Sequence, residues 1–340
     1  MHLNENNPKG KKGFGQFIKN TFIPSQNDTK QKRTSKIITC ITTILILAII
    51  IIGGLVVWKY ASARIETKNN QDLMNGNSSV SSQSDNTEEV TAPTEKLPVD
   101  LDVETGVSTK FVDTYKTNDD FIGRITIADT KLDQPVVKGD DNAYYLDRTL
   151  EKKHNAFGVP FADYRSVVGL DIQSDNITMY GHAAKDGTFF APVKEYSSLD
   201  FYKQHPTITF DTIYGDGEYK IIGRFIEYVD PGNQKMFNYH DYIDFGDEAT
   251  YNKFVNSVKE RSYFIAPVDT KYGDKFITLS TCNTEIINSN KTPYRDVLVA
   301  RKVRPDEDKA VDVSKATINE KQLMPDGWVE KFGKKNPYTK

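Results

Sequence analysis

Cysteine is almost missing from these 340 residues: only Cys40 and Cys282 occur. A disulfide framework is thereby excluded, and with no C-x-x-C pair so is a thiolate metal finger. The chain also lacks HExxH, a Gly-rich phosphate loop after a strand, and the Cys-x5-Arg loop of phosphatases, because Asn288 stands at that spacing from Cys282. No cofactor or metal is expected. A dominant charge is missing as well: the formal net charge is −3, and no long basic run follows the apolar segment described below. Nucleic acid is therefore not an expected partner. Aromatic residues are absent between Arg64 and Lys110, where Asn, Ser, Gln, Thr and Glu dominate. Such a stretch buries too little apolar surface to offset its conformational entropy, which predicts a flexible polar stalk over 59–98.

The one long hydrophobic run extends from Ile37 to Trp58 and contains no charge. As a helix it would rise about 33 Å, enough to cross a hydrocarbon core of about 30 Å. Residues 37–58 thus read as a transmembrane anchor. They are too long for a signal-peptide core of about 7–15 residues, although Ala61-Ser62-Ala63 resembles a cleavage site. Lys9, Lys11, Lys12, Lys19, Lys30, Lys32, Arg33 and Lys36 crowd the N-terminal flank. By the positive-inside rule, residues 1–36 form a basic cytoplasmic segment and the bulk of the chain lies outside.

Order is expected from about residue 99 to 305. Ile122–Ile127 and 134–137 alternate as strands, and 159–161 and 177–180 are short strands. Thr207–Ile213 and Tyr219–Val229 flank Tyr214-Gly215-Asp216-Gly217 as a hairpin. Tyr251, Phe254, Val255 and Val258 recur at helical spacing within 248–261. Strands follow at 276–281 and 295–303. About eight short strands with few helices between them fit a mostly β, closed and largely antiparallel barrel better than a βαβ fold. Residues 306–340 are charged, with isolated apolar positions at Leu323, Met324, Trp328, Val329 and Phe332, and read as a polar tail that packs on the domain at most in part.

Three side chains are candidates to carry the chemistry. Cys282 ends the strand Phe276-Ile277-Thr278-Leu279-Ser280-Thr281-Cys282 and runs into the polar Asn283-Thr284-Glu285. With Cys40 in the anchor it has no intrachain partner outside the membrane, which makes it a candidate nucleophile. His182 follows the strand Asn176–Tyr180 and Gly181, and is a candidate general acid/base. The other histidines are His2 in the cytoplasmic segment and His154, His205 and His240 in polar loops. Arg295 heads the strand after Cys282, and a fixed guanidinium there can hold a carbonyl or oxyanion. Ser280, Thr281 and Glu285 are candidate substrate contacts. Strand alternation lets only one of Ser280 and Thr281 share the face of Cys282.

Tyr180-Gly181-His182, then Thr278-Leu279-Ser280-Thr281-Cys282, then Arg295 to Lys302 together resemble the sortase family. Asp120 to Ile125 and Pro135-Val136-Val137 are similar to its opening strands, and the 248–261 helix points to class B. The resemblance covers residues 105–304. It implies the sortase β-barrel and a membrane-anchored cysteine transpeptidase of a Gram-positive envelope. It further implies attack by Cys282 on the Thr carbonyl of a Pro-containing sorting signal, His182 as proton carrier and Arg295 as carbonyl clamp. The implied partners are secreted proteins with a C-terminal sorting signal and an amine of a cell-wall precursor or a pilin lysine. A hydrolytic cysteine peptidase and a non-enzymatic envelope-binding domain are the alternatives. Ala183-Ala184 after His182 and a long Cys282–Arg295 interval depart from the family pattern.

Overall fold

The computed structural model describes residues 21–25, 27–76, 100–229, 237–289 and 291–333. A helix spans Lys30–Gly76. Within it, Lys30–Leu55 is long and apolar enough to cross a membrane, and side chains such as Ile44, Ile49 and Trp58 are exposed. The helix continues past Trp58 because the following Ala, Arg, Glu, Gln and Leu residues favour helix and no Pro or Gly interrupts them before Gly76. The helix thus occupies the first part of the segment expected as a stalk; 77–99 lies outside the described residues.

Among the described residues the larger unit has ten strands. They are β1 (Phe121–Thr126), β2 (Asp133–Val137), β3 (Phe161–Ala162), β4 (Asn176–Tyr180) and β5 (Thr207–Thr212), then β6 (Glu218–Tyr228), β7 (Phe264–Ile265), β8 (Phe276–Cys282), β9 (Tyr294–Lys302) and β10 (Thr317–Ile318). Eight close into a barrel in the order β1-β2-β3-β4-β8-β9-β6-β5, while β7 and β10 pair separately. The eight-stranded closed barrel expected from the strand count is present. Two of its pairings, β2 with β3 and β4 with β8, are parallel.

Alternation divides the apolar residues between two layers. Ile177, Met179, Ile277, Leu279, Leu298 and Ala300 point into the barrel and belong to its largest buried cluster. Phe276, Val297, Val299 and Phe225 face outward and are covered by Tyr251, Phe254 and Val258 of the helix Glu248–Arg261. That helix is capped by Asp247, whose carboxylate accepts the Thr250 N–H at 2.7 Å. Strands β8 and β9 are therefore buried on both faces, and only their ends reach solvent.

The segment after Pro305 is not loose within the described residues. Glu307 accepts from Arg301 and Lys220, β10 pairs with β7, and Trp328 in the helix Asp326–Phe332 is fully buried in the barrel cluster. The sparse apolar residues of the expected polar tail supply this packing.

Candidate active site

Strands β4 and β8 run parallel and in register from Asn176 opposite Phe276 to Tyr180 opposite Ser280. The ladder extends one step further, as the Gly181 N–H donates to the Ser280 carbonyl at 3.2 Å. Two residues beyond Tyr180 and Ser280, His182 and Cys282 leave the same edge on the same face. On the other side of β8, antiparallel β9 sets Arg295 directly opposite Cys282. Period-two alternation then puts Tyr180, Ser280, Cys282 and Arg295 on the outward face, at the barrel rim.

A cleft of about 320 Å³ opens there, lined by Leu146, Tyr180, His182, Tyr239, Cys282 and Arg295. His182, Cys282 and Arg295 are all half-buried. His182 Nε2 lies 3.0 Å from the Leu146 carbonyl. A carbonyl oxygen only accepts, so in this contact Nε2 is the donor. Gly181 is required beside it, because a Cβ at this position would meet the Phe190 ring at 2.9 Å. Arg295 Nη1 donates to the carbonyls of Thr292 at 2.6 Å and Tyr294 at 3.0 Å, which fixes the guanidinium plane.

Two hydrogen-bonded groups shape the walls. Tyr239 and Ser280 share a buried hydroxyl contact at 2.7 Å, and burial pushes the Tyr239 phenol up to about 12, keeping it protonated. Asp163 is buried and accepts from Arg165, from Tyr180 at 2.9 Å and from Asn142 at 3.0 Å. Burial raises the pKa of this carboxyl, but the hydrogen bonds outweigh it and hold the net value below the ordinary carboxylate range. Arg165 also donates to the His240 carbonyl at 2.6 Å, tying the 237–243 segment to the cleft.

Beneath Cys282, on the inward face, lies a second polar group. Asp296 is fully buried, paired with the equally buried Arg224, and accepts from Asn283 Nδ2 at 3.1 and 3.2 Å. Arg224 stacks over the Tyr263 ring, 4.3 Å from its centroid.

No family model matches the chain. It is 28% identical over 243 residues to the sortase B of Listeria monocytogenes, covering 72% of this chain and 89% of that one. With the sortase B of Staphylococcus aureus it shares 26% identity over 274 residues, 80% of this chain and 99% of the relative. A solved Staphylococcus aureus sortase B–substrate complex superposes with a TM-score of 0.51 at 30% identity, over 59% of this chain and 87% of that chain. The chain belongs to the sortase family.

This sortase is class B-like and is a cysteine transpeptidase, as the sequence resemblance implied. Of the other candidate positions, Ser280 shares the face of Cys282. Thr281 stands opposite Asp296 on the inward face, with its hydroxyl buried and without a hydrogen bond among the described residues. Glu285 lies in the β8–β9 loop and does not line the cleft. Its backbone N–H donates to Asn283 Oδ1 at 3.1 Å. Sequence reasoning set aside His240, which does line the cleft, and passed over Tyr239, Asp163 and Asp296. For Asp296 a signal existed: a carboxylate in a strand with two apolar faces must find a cation.

Proposed function

We propose that Cys282 is the nucleophile of this transpeptidase, His182 its proton carrier and Arg295 its carbonyl clamp. The donor substrate is a secreted protein with a C-terminal, Pro-containing sorting signal cleaved after Thr. In the first half-reaction Sγ adds to the Thr carbonyl carbon and the oxygen takes up negative charge beside the Arg295 guanidinium. The C–N bond then breaks, the leaving amine takes the His182 proton, and a thioester to Cys282 remains. In the second, an acceptor amine adds to the thioester and returns its proton to His182. The C–S bond breaks and the thiolate is restored.

The observation that carries this reading is the common register of three strand ends, which delivers a thiol, an imidazole and a guanidinium to one face of one cleft. Ser280, on that face, is proposed to contact the signal, with Thr281 shaping the strand behind it and Glu285 flanking it. The apolar helix is proposed as a single-pass anchor at 37–58 with its N-terminus cytoplasmic. Residues 59–98 then hold the catalytic unit, 99–305, outside the membrane, with 306–340 as its C-terminal extension. The acceptor is proposed to be the amine of a cell-wall precursor.

Incubating the full chain in detergent with an X-Pro-X-Thr peptide library and an amine, followed by mass spectrometry, tests the reading. An amide-linked product that Cys282→Ala does not form is expected. Cleavage without transfer would favour a peptidase, and a library left intact would refute the assignment. Transfer to a lysine peptide but not to a wall-precursor amine would move the acceptor to a pilin.

A further inference from the structure

The C-terminal segment leaves β9 at the end of the barrel remote from Cys282 and returns to the catalytic rim. It is fastened at its start by Glu307, which accepts from Arg301 at 2.5 and 2.6 Å and from Lys220 at 2.7 Å. Midway, β10 pairs with β7, Asn319 donates to the Ser262 carbonyl, and the Leu323 N–H reaches the Glu260 carbonyl. Trp328 then inserts into the barrel cluster, against which Ile286 of the β8–β9 loop also packs.

Two contacts at the rim bear on the residues flanking the active site. Lys331 Nζ donates to the carbonyls of Glu285 at 2.6 Å and Ile286 at 3.0 Å. The same loop is held on its N–H side by Asn283 Oδ1, which accepts from Glu285 and from Ile286 at 3.4 Å. Gly327 abuts Tyr294, the residue before Arg295: a Cβ there would lie 1.9 Å from the Tyr294 hydroxyl. The Tyr294 carbonyl in turn accepts the Asn283 N–H at 2.9 Å and Arg295 Nη1 at 3.0 Å. One short helix therefore touches both the loop that follows Cys282 and the residue that precedes Arg295.

We propose that the helix Asp326–Phe332 is a positioning element of the catalytic rim, and that Lys331 sets how well the β8–β9 loop receives the sorting signal. The proposal rests on the transpeptidase reading above. An ammonium suits the task because its three N–H donors can serve two neighbouring carbonyls at once. Without it both carbonyls return to water and the loop keeps only the Asn283 hydrogen bonds and the packing of Ile286. The acylating groups themselves are untouched. The loss therefore falls on substrate binding, as a rise in KM with kcat retained.

The test uses the full chain in detergent, carrying Lys331→Met, Lys331→Arg or Gly327→Ala. Peptide transfer, iodoacetamide alkylation of Cys282 and hydrogen exchange over 283–289 are each measured. Lys331→Met should raise KM for the sorting peptide about 5–10-fold, keep kcat within about 2-fold, and speed exchange in the loop. Alkylation should be unchanged, and Lys331→Arg should restore KM. Gly327→Ala favours helix in isolation, so a rise in KM there reports the displaced Tyr294 and not a weakened helix. Wild-type KM and exchange in Lys331→Met overturn the positioning role while leaving the transpeptidase reading intact. A wild-type chain that transfers no peptide although Cys282 alkylates overturns both.

Discussion

Removing the carboxylate of Asp296 should cost the barrel more than any other single substitution on β8 and β9. Asp296 and Arg224 are both fully shielded from solvent and face each other across β6 and β9. Burial alone would lower the Arg224 pKa, but the attraction of Asp296 holds it above its ordinary value. Asp296→Ala leaves that cation buried without its anion and strips Asn283 of its acceptor. Breaking a buried pair in this way costs about 3–5 kcal/mol, against a total stability of about 5–15 kcal/mol for a domain. For a unit of this size the melting temperature should fall by about 6–20 °C. Urea unfolding can be followed by Trp328, in the barrel core, after Trp58 on the apolar helix is replaced by Phe. The decisive comparison is Arg224→Met/Asp296→Leu, which removes both charges and should recover most of the loss. A loss below about 1 kcal/mol in Asp296→Ala, or a double variant as unstable as the single one, would refute the uncompensated-charge argument.

Further outcomes follow from the same geometry. Arg295→Lys keeps the charge but not the planar fork whose Nη1 is fixed by Thr292 and Tyr294. Its kcat/KM in the transfer assay should drop at least about 100-fold, and near-normal turnover would contradict the clamp. His182→Ala should lower the rate about 10²–10⁴-fold, and a loss under tenfold in kcat would remove His182 as proton carrier. Hydrogen bonds from Arg301 hold the Glu307 carboxyl well below its ordinary value of 4.5. Its stabilisation is therefore full above that unfolded value and is lost as pH falls toward the folded one. Glu307→Gln should thus be less stable than wild type at pH 7, with the gap closing below about pH 4.5; a gap independent of pH would refute the charge pairing.

How much of this was readable in the chain depends on whether a feature is local or needs register. The Cys282 strand was legible because an apolar, β-branched run ending on a lone thiol is unusual on its face. The helix at 248–261 was legible from its 3.6-residue period. The pairing of His182 with Cys282 came only through the family resemblance, because it depends on a parallel ladder between segments about a hundred residues apart. No local pattern encodes which residue stands level with which. The C-terminal segment reads as a polar tail because its apolar residues are few. Trp328 and Phe332 nevertheless stand four apart, as one helical face requires, and their rings lie 4.5 Å apart between centroids. The position of Asp296 was inferable in principle. If Arg295, Val297 and Val299 share one face, Asp296, Leu298 and Ala300 share the other, and a strand apolar on both faces lies between two packed layers. A carboxylate there is tolerated only with a buried partner. The partner, Arg224, is on β6, and only barrel closure brings it next to β9. The outward face of β8 and β9 thus presents Cys282 and Arg295, to which the chemistry is proposed to belong, while the inward face carries the buried Arg224–Asp296 ion pair. The two are one residue apart along each strand, so Asp296 and Arg295, like Asn283 and Cys282, are neighbours with opposite duties. A substitution at either inward residue should disturb the site through the backbone they share.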